Sequence, residues 1–276
     1  MGNPIDEARA RSTATYDAAA DSFDHPANSF WERFGSATVE RLGLKSGQRV
    51  LDVCCGSGAS ALPAARLVGP TGQVVGVDLS QGLLELARKK AAVEGLRQAE
   101  FRTGDLLDLR FAAEQFDAVV CVFGIFFVPD MVAAARELWS AVRPGGKLAV
   151  TTWGPRFFEP ASSAFWSAVR ALRPDLDRGF NPWDRISEPA ALRALLSEAG
   201  IDRVEVVAQP GHHAVPTAES WWTAVLGSGF RGTLEQLGVH ERECVRAANL
   251  DFMRSARIDA VEANVVYAIA SKRAAQ

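Results

Sequence analysis

The sequence predicts an α/β domain: a seven-stranded, mostly parallel sheet with an antiparallel final strand and helices on both faces. Two observations carry this. Short β-branched runs alternate with longer stretches rich in Ala, Leu, Arg and Glu through the middle of the chain, the pattern of successive βαβ units. Glycine- and proline-bearing turns punctuate the changes from one type to the other. At 276 residues the chain is long enough for one large domain of this kind.

The elements follow in order. Residues 1–45 read as an amphipathic, mostly helical prelude, set apart as a lid over residues 46–276. Arg49–Val53, Gln73–Asp78, Ala99–Thr103, Phe116–Val122 and Lys147–Trp153 are short apolar runs of strand length. Ala59–Leu67, Gln81–Glu94 and Met131–Val142 lie between them and are long enough for helices. Gly69-Pro70-Thr71-Gly72 and Arg143-Pro144-Gly145-Gly146 are turns from a helix into the next strand. Pro155, Pro160, Pro174 and Pro182 then break the pattern, so about 154–187 is an insertion, and 188–199 resumes as helix. Arg203–Ala208 and Ala263–Ala270 are two late strands separated by a mainly helical insertion at about 215–260, which suits an antiparallel addition at a sheet edge.

Hydrophobic residues make up 48% and charged residues 23%, a globular composition that excludes pervasive disorder. A net charge of −3 gives no reason to expect a nucleic-acid backbone as partner. Four cysteines, with Cys54 and Cys55 adjacent, make neither a disulfide framework nor a paired zinc motif. The first residues lack the basic and apolar stretches of a signal peptide, and the longest apolar run, Ala118–Val128, is too short to span a bilayer. A cytoplasmic protein with a small-molecule partner is expected, with no membrane span, no metal, and a homodimer as one option for its assembly.

Chemistry concentrates at Val50-Leu51-Asp52-Val53-Cys54-Cys55-Gly56-Ser57-Gly58-Ala59, a buried strand entering a glycine turn and then a helix. Glycines let a ligand approach the backbone there, and the helix start presents free N–H groups. Gly56-x-Gly58-x-x-Ala61 also satisfies a dinucleotide fingerprint, with Asp78 at the spacing of a ribose-binding acid. Asp52 argues the other way, because a carboxylate at the strand end repels a pyrophosphate and welcomes an ammonium. Asp78 closes the second strand and can accept both ribose hydroxyls. Gly104-Asp105-Leu106 follows the third strand and places another acceptor at the nucleobase end.

With these acids in sequence, the chain resembles the class I S-adenosylmethionine-dependent methyltransferases, in the branch containing the ubiquinone and menaquinone biosynthesis methyltransferases. The resemblance covers residues 12–153 well and the final strands loosely. It implies a Rossmann-like sheet, S-adenosylmethionine as methyl donor and S-adenosylhomocysteine as product. It further implies that Asp52, Gly56 and Gly58 hold the methionine part, with Cys54 standing where the family has its first glycine. Asp78 and Leu79 would meet the ribose and one adenine face, and Asp105 and Leu106 the adenine amine and its other side. Cys121, Val122 and Phe123 would lie beneath the sulfonium. Tyr16, in Tyr16-Asp17-Ala18-Ala19-Ala20-Asp21-Ser22-Phe23, matches a segment that folds over the donor. A nicotinamide-dependent oxidoreductase and a non-methylating S-adenosylmethionine-binding protein remain as alternatives.

The acceptor implied is a small aromatic or otherwise hydrophobic metabolite, methylated on O, C or N. Phe127, Trp153, Trp183 and Trp222 are candidates for its pocket, since aromatics cluster after the fifth strand and in the insertions. His212 and His213 are weak candidates for a general base; on an extended strand they point to opposite faces. Plainer readings stand beside these: Asp78 and Asp105 as helix caps or loop residues, Tyr16 and half of the tryptophans as core, Cys54 and Cys55 as small hydrophobes.

Overall fold

The computed structural model describes residues 4–177 and 179–274. In chain order the elements are α1 (Pro4–Phe23), α2 (Phe30–Leu42), β1 (Arg49–Val53), α3 (Ala61–Val68), β2 (Gln73–Asp78), α4 (Gln81–Val93), β3 (Ala99–Thr103), β4 (Phe116–Val122), α5 (Met131–Ala141) and β5 (Val142–Trp153). They continue as α6 (Ala161–Leu172), α7 (Pro189–Glu198), β6 (Val204–Gln209), β7 (His212–Ala214), α8 (Ala218–Leu226), α9 (Arg231–Leu234), α10 (Val239–Ser255), β8 (Ala260–Glu262) and β9 (Val265–Ser271).

The seven-stranded sheet has the order β3-β2-β1-β4-β5-β9-β6. β1 to β5 pair in parallel, and β9 runs antiparallel to both of its neighbours, β5 and β6. The late pair is therefore added at one edge, as the sequence suggested, with β6 as its border. Side chains alternate along β1, so Val50 packs with the α3 and α4 layer while Leu51 and Val53 pack with the α5 side. Asp52 shares the face of Val50, which carries its carboxylate toward the start of α3 and so toward the glycine turn.

Three details differ from the sequence reading. β5 begins at Val142, so Arg143-Pro144-Gly145-Gly146 is an irregular stretch of strand rather than a separate turn; the register shifts there, with Phe116 opposite Val142 and Ala118 opposite Lys147. The insertion after β5 contains a full helix, α6, whose Phe165 and Val169 are completely buried. A second small sheet, β7 with β8, brackets the segment 215–260 and ties its two ends together. Such a pairing between distant short runs leaves no local periodicity to read.

Candidate active site

Strand order reverses between β1 and β4, and the carboxyl ends of β1 to β4 open into a crevice at that point, as open α/β sheets generally do. The loops that follow these strands supply the floor: Cys54–Gly56, Asp78–Ser80, Gly104–Leu107 and Val122–Gly124. The roof is α1, which presents Arg9, Ser12, Thr13 and Tyr16 from one face at helical spacing. The enclosed space is about 120 Å³ and mostly apolar.

Asp78 organises the floor. Its Oδ2 accepts the Gly56 N–H at 2.8 Å and its Oδ1 the Ser80 N–H at 2.9 Å, so one carboxylate joins the glycine turn to the start of α4. Burial pushes its pKa up from the ordinary carboxylate value, with the bonds from Ser80 and Gly56 working in the opposite direction. Ser80 caps α4 by accepting from Leu83 N–H, and donates its own hydroxyl proton to Asp17 of α1 at 2.6 Å. Asp17 also accepts from Gly82 N–H, so the roof is fastened to the same turn that Asp78 holds.

Asp52 lies one layer below. It is 1% exposed, accepts the Ser60 hydroxyl at 2.7 Å, and keeps Oδ1 without a partner. It therefore meets the cavity through Ser60, not directly. Burial pushes its carboxyl up to about 7. Because the folded state holds this proton more tightly than the unfolded chain, the group's contribution to stability falls as pH rises from 3.8 toward about 7. Asp52→Asn is expected to flatten that slope in urea denaturation between pH 5 and pH 8; an unchanged slope would assign the titration elsewhere.

Cys54 has a φ of 58°, the left-handed region that favours glycine, which is the position where the resemblance expects one. A hydrogen bond with Cys121, then burial, hold its thiol well above the ordinary range, so it stays protonated. The left-handed conformation costs an L-residue about 1–2 kcal/mol, and glycine's extra unfolded-state freedom offsets part of any relief. Cys54→Gly should therefore unfold later in urea than Cys54→Ala, which keeps the Cβ, by about 1 kcal/mol. Gly124 explains why the turn is not more crowded: a Cβ there would come within 2.4 Å of the Cys54 Cβ.

Of the residues singled out in the sequence, Tyr16, Cys54, Gly56, Asp78, Leu79, Asp105, Leu106, Val122, Phe123 and Phe127 line one cavity. Burial, with Asp78 and Cys54 nearby, pushes the Tyr16 hydroxyl up, so it keeps its proton at neutral pH. Gly58 faces away, since a Cβ on it would press on Leu62 of α3 at 3.1 Å. Cys121 is fully buried behind Cys54.

The tryptophan and histidine candidates are placed elsewhere. Trp153 is 2% exposed and stacks on Phe123 at 3.9 Å, wedged among Phe30, Phe34 and Phe157. Trp183 packs on Phe126 and Phe157, and Trp222 is buried on α8. None of the three reaches the cavity, and no described residue beyond Pro129 lines it. His212 is exposed on β7, where its carbonyl accepts from Arg33. His213 is buried, bonds Ala27 O through Nε2 at 2.7 Å, and burial lowers its basicity. It is a neutral structural donor, far from the work of a base.

Sequence reading missed Arg9, Phe23, Trp31, Ser60 and Leu83 in the lining. Counting back from Tyr16 by helical turns would have found Arg9 on the same face. The same count forward reaches Phe23, whereas nothing local marks Trp31, which stacks on Phe23 at 4.9 Å and 6° only because α1 and α2 fold together. Among the described residues there is no helix long and apolar enough to cross a membrane and no metal-binding group of His, Cys, Asp and Glu.

Comparison with known proteins adds the following. A methyltransferase domain family matches residues 50–146. A demethylmenaquinone methyltransferase of Halalkalibacterium halodurans is 40% identical over 111 residues, which span 40% of this chain and 45% of that enzyme. The ubiquinone/menaquinone biosynthesis C-methyltransferase UbiE of Pseudomonas entomophila is 32% identical over 203 residues, 69% of this chain and 78% of that one. Among solved structures, the YcgJ protein of Bacillus subtilis aligns with a TM-score of 0.58 at 18% identity, over 88% of this chain and 100% of that chain, a likeness of fold.

Proposed function

Because the chain belongs to the class I S-adenosylmethionine-dependent methyltransferases and resembles their ubiquinone and menaquinone biosynthesis branch, we propose that it transfers a methyl group from S-adenosylmethionine to O, C or N of a small aromatic or otherwise hydrophobic metabolite. One observation carries the choice of donor over a dinucleotide. The N–H groups that would cradle a pyrophosphate are spent inside the protein: Gly56 N–H on Asp78 and Gly58 N–H on Cys55 O. Two carboxylates stand where a phosphate would need positive potential.

The residues fit an amino-acid-bearing nucleoside. Asp78 is the acceptor for its ribose hydroxyls, Asp105 for the adenine amine, and Leu79 and Leu106 flank the base. The unpartnered Oδ1 of Asp52 is an acceptor under the glycine turn, and an ammonium reached through Ser60 or water would favour its ionised form. Bound there, S-adenosylmethionine supplies an electrophilic methyl carbon on positively charged sulfur. Phe23, Trp31, Phe123 and Phe127 line the cavity with apolar rings that exclude water. Tyr16 keeps its proton and closes the roof. The described lining holds no histidine, lysine or glutamate, so the chain's share of the chemistry is alignment of the nucleophile with the carbon–sulfur bond.

Residues 1–45 act in this reading as the lid. The segments 154–187 and 215–260 shape the acceptor's approach; α1 rests on α8 and α9 of the second segment, which supports that role. Four free cysteines are consistent with a cytoplasmic location. Calorimetry tests the donor: micromolar affinity for S-adenosylhomocysteine and none for NAD or NADP is expected, and the reverse would reject it. Methyl transfer to an added hydroquinone or phenol acceptor separates an enzyme from a non-methylating binder.

A further inference from the structure

Beneath α1 the crevice offers about 120 Å³, below the roughly 300–1,000 Å³ of sites that bury a drug-sized ligand. Arg9 reaches from the first turns of α1 to pair its Nη2 with Asp105 Oδ2, while Asp105 Oδ1 already accepts the Leu107 N–H at 2.9 Å. Both oxygens of the acid assigned to the adenine amine are thereby in use. The Arg9 pairing is imperfect, because Nε is buried beneath the roof with no hydrogen-bond partner.

We infer that the Arg9–Asp105 ion pair is an autoinhibitory latch: α1 holds the crevice shut by occupying the nucleobase acid, and the donor enters only when that pair opens. The inference rests on the donor reading above. Arg9 gives α1 a polar partner at the adenine end of the crevice. At the other end Asp17 fastens α1 to Ser80 and Gly82. These contacts leave Asp78 free to keep the glycine turn in shape, so the floor does not depend on the roof. An adenine amine replaces Arg9 on Asp105 hydrogen bond for hydrogen bond, which makes opening and binding one coupled equilibrium. The pair is partly exposed, 39% for Arg9 and 16% for Asp105, which keeps the latch weak enough to open.

A latch that must open before the donor binds has a kinetic signature. The apparent association constant is scaled by the fraction of open molecules, while dissociation from the bound state, in which Arg9 has left Asp105, is unaffected. Stopped-flow tryptophan fluorescence with S-adenosylhomocysteine, a zwitterion of no net charge, reads both rates, and Trp31 lies in the cavity wall. Arg9→Gln is expected to raise the association rate about fivefold with the dissociation rate unchanged. Arg11→Gln, which removes the same charge from an exposed position on α1, should change neither. An association rate unchanged by Arg9→Gln, or a faster dissociation, would overturn the latch and make Arg9 either idle or a contact of the bound donor. Wild-type protein that fails to bind the probe at all would instead bring down the donor assignment.

Discussion

Trp153→Ala should lower folding stability by about 3–5 kcal/mol, as large-to-small changes of a buried tryptophan do. The indole is sealed between α2 and the segment after β5, touching Phe30, Trp31, Phe34, Phe123, Phe157 and Phe158. Removing it leaves a void bordered by six rings that cannot collapse together. Its loss also reaches the cavity, because Phe123 lies at a φ of 54° and its ring is held flat against the indole. Urea denaturation followed by far-ultraviolet circular dichroism gives the cost, and Trp153→Phe should recover part of it. A loss under about 1 kcal/mol, together with weaker acceptor binding, would return Trp153 to the acceptor wall where sequence reasoning first placed it.

Asp78→Ala is the second large effect, expected to weaken S-adenosylhomocysteine binding by about 2–3 kcal/mol, or roughly 30- to 150-fold in Kd. Two losses combine. The ribose loses its charged acceptor, and the Gly56 and Ser80 N–H groups lose the carboxylate that holds the glycine turn against α4. Asp78→Asn separates them, since the amide still offers one acceptor oxygen to the turn but presents no charge to the sugar; it should fall between wild type and Asp78→Ala. Titration calorimetry measures both variants, and an unaltered Kd in Asp78→Ala would mean that the donor binds elsewhere.

The outcome for particular residues shows where sequence reasoning has purchase. Asp78 was readable because three local signals coincide on it: a β-branched run, its end, and a helix start two residues on. Cys54 was readable as an intruder in a glycine position, and the backbone there is left-handed as that position requires. Trp153 and His213 were misdirected for one reason: an aromatic or titratable side chain late in the chain has the same composition whether it faces a ligand or another ring. His213 ends on Ala27 O, a partner from the opposite end of the sequence.

The amino-acid order alone determined the parallel sheet, its crossings, the glycine turn and the acids at the strand ends, because each depends on periodicity or turn chemistry within a dozen residues. Tertiary packing decided which aromatic rings meet the crevice, that Asp52 works from beneath Ser60, and that Arg9 closes on Asp105. Those outcomes hinge on how helices distant in the chain settle against one sheet, and burial of apolar area, being non-directional, leaves no mark in the sequence of which ring will face which neighbour.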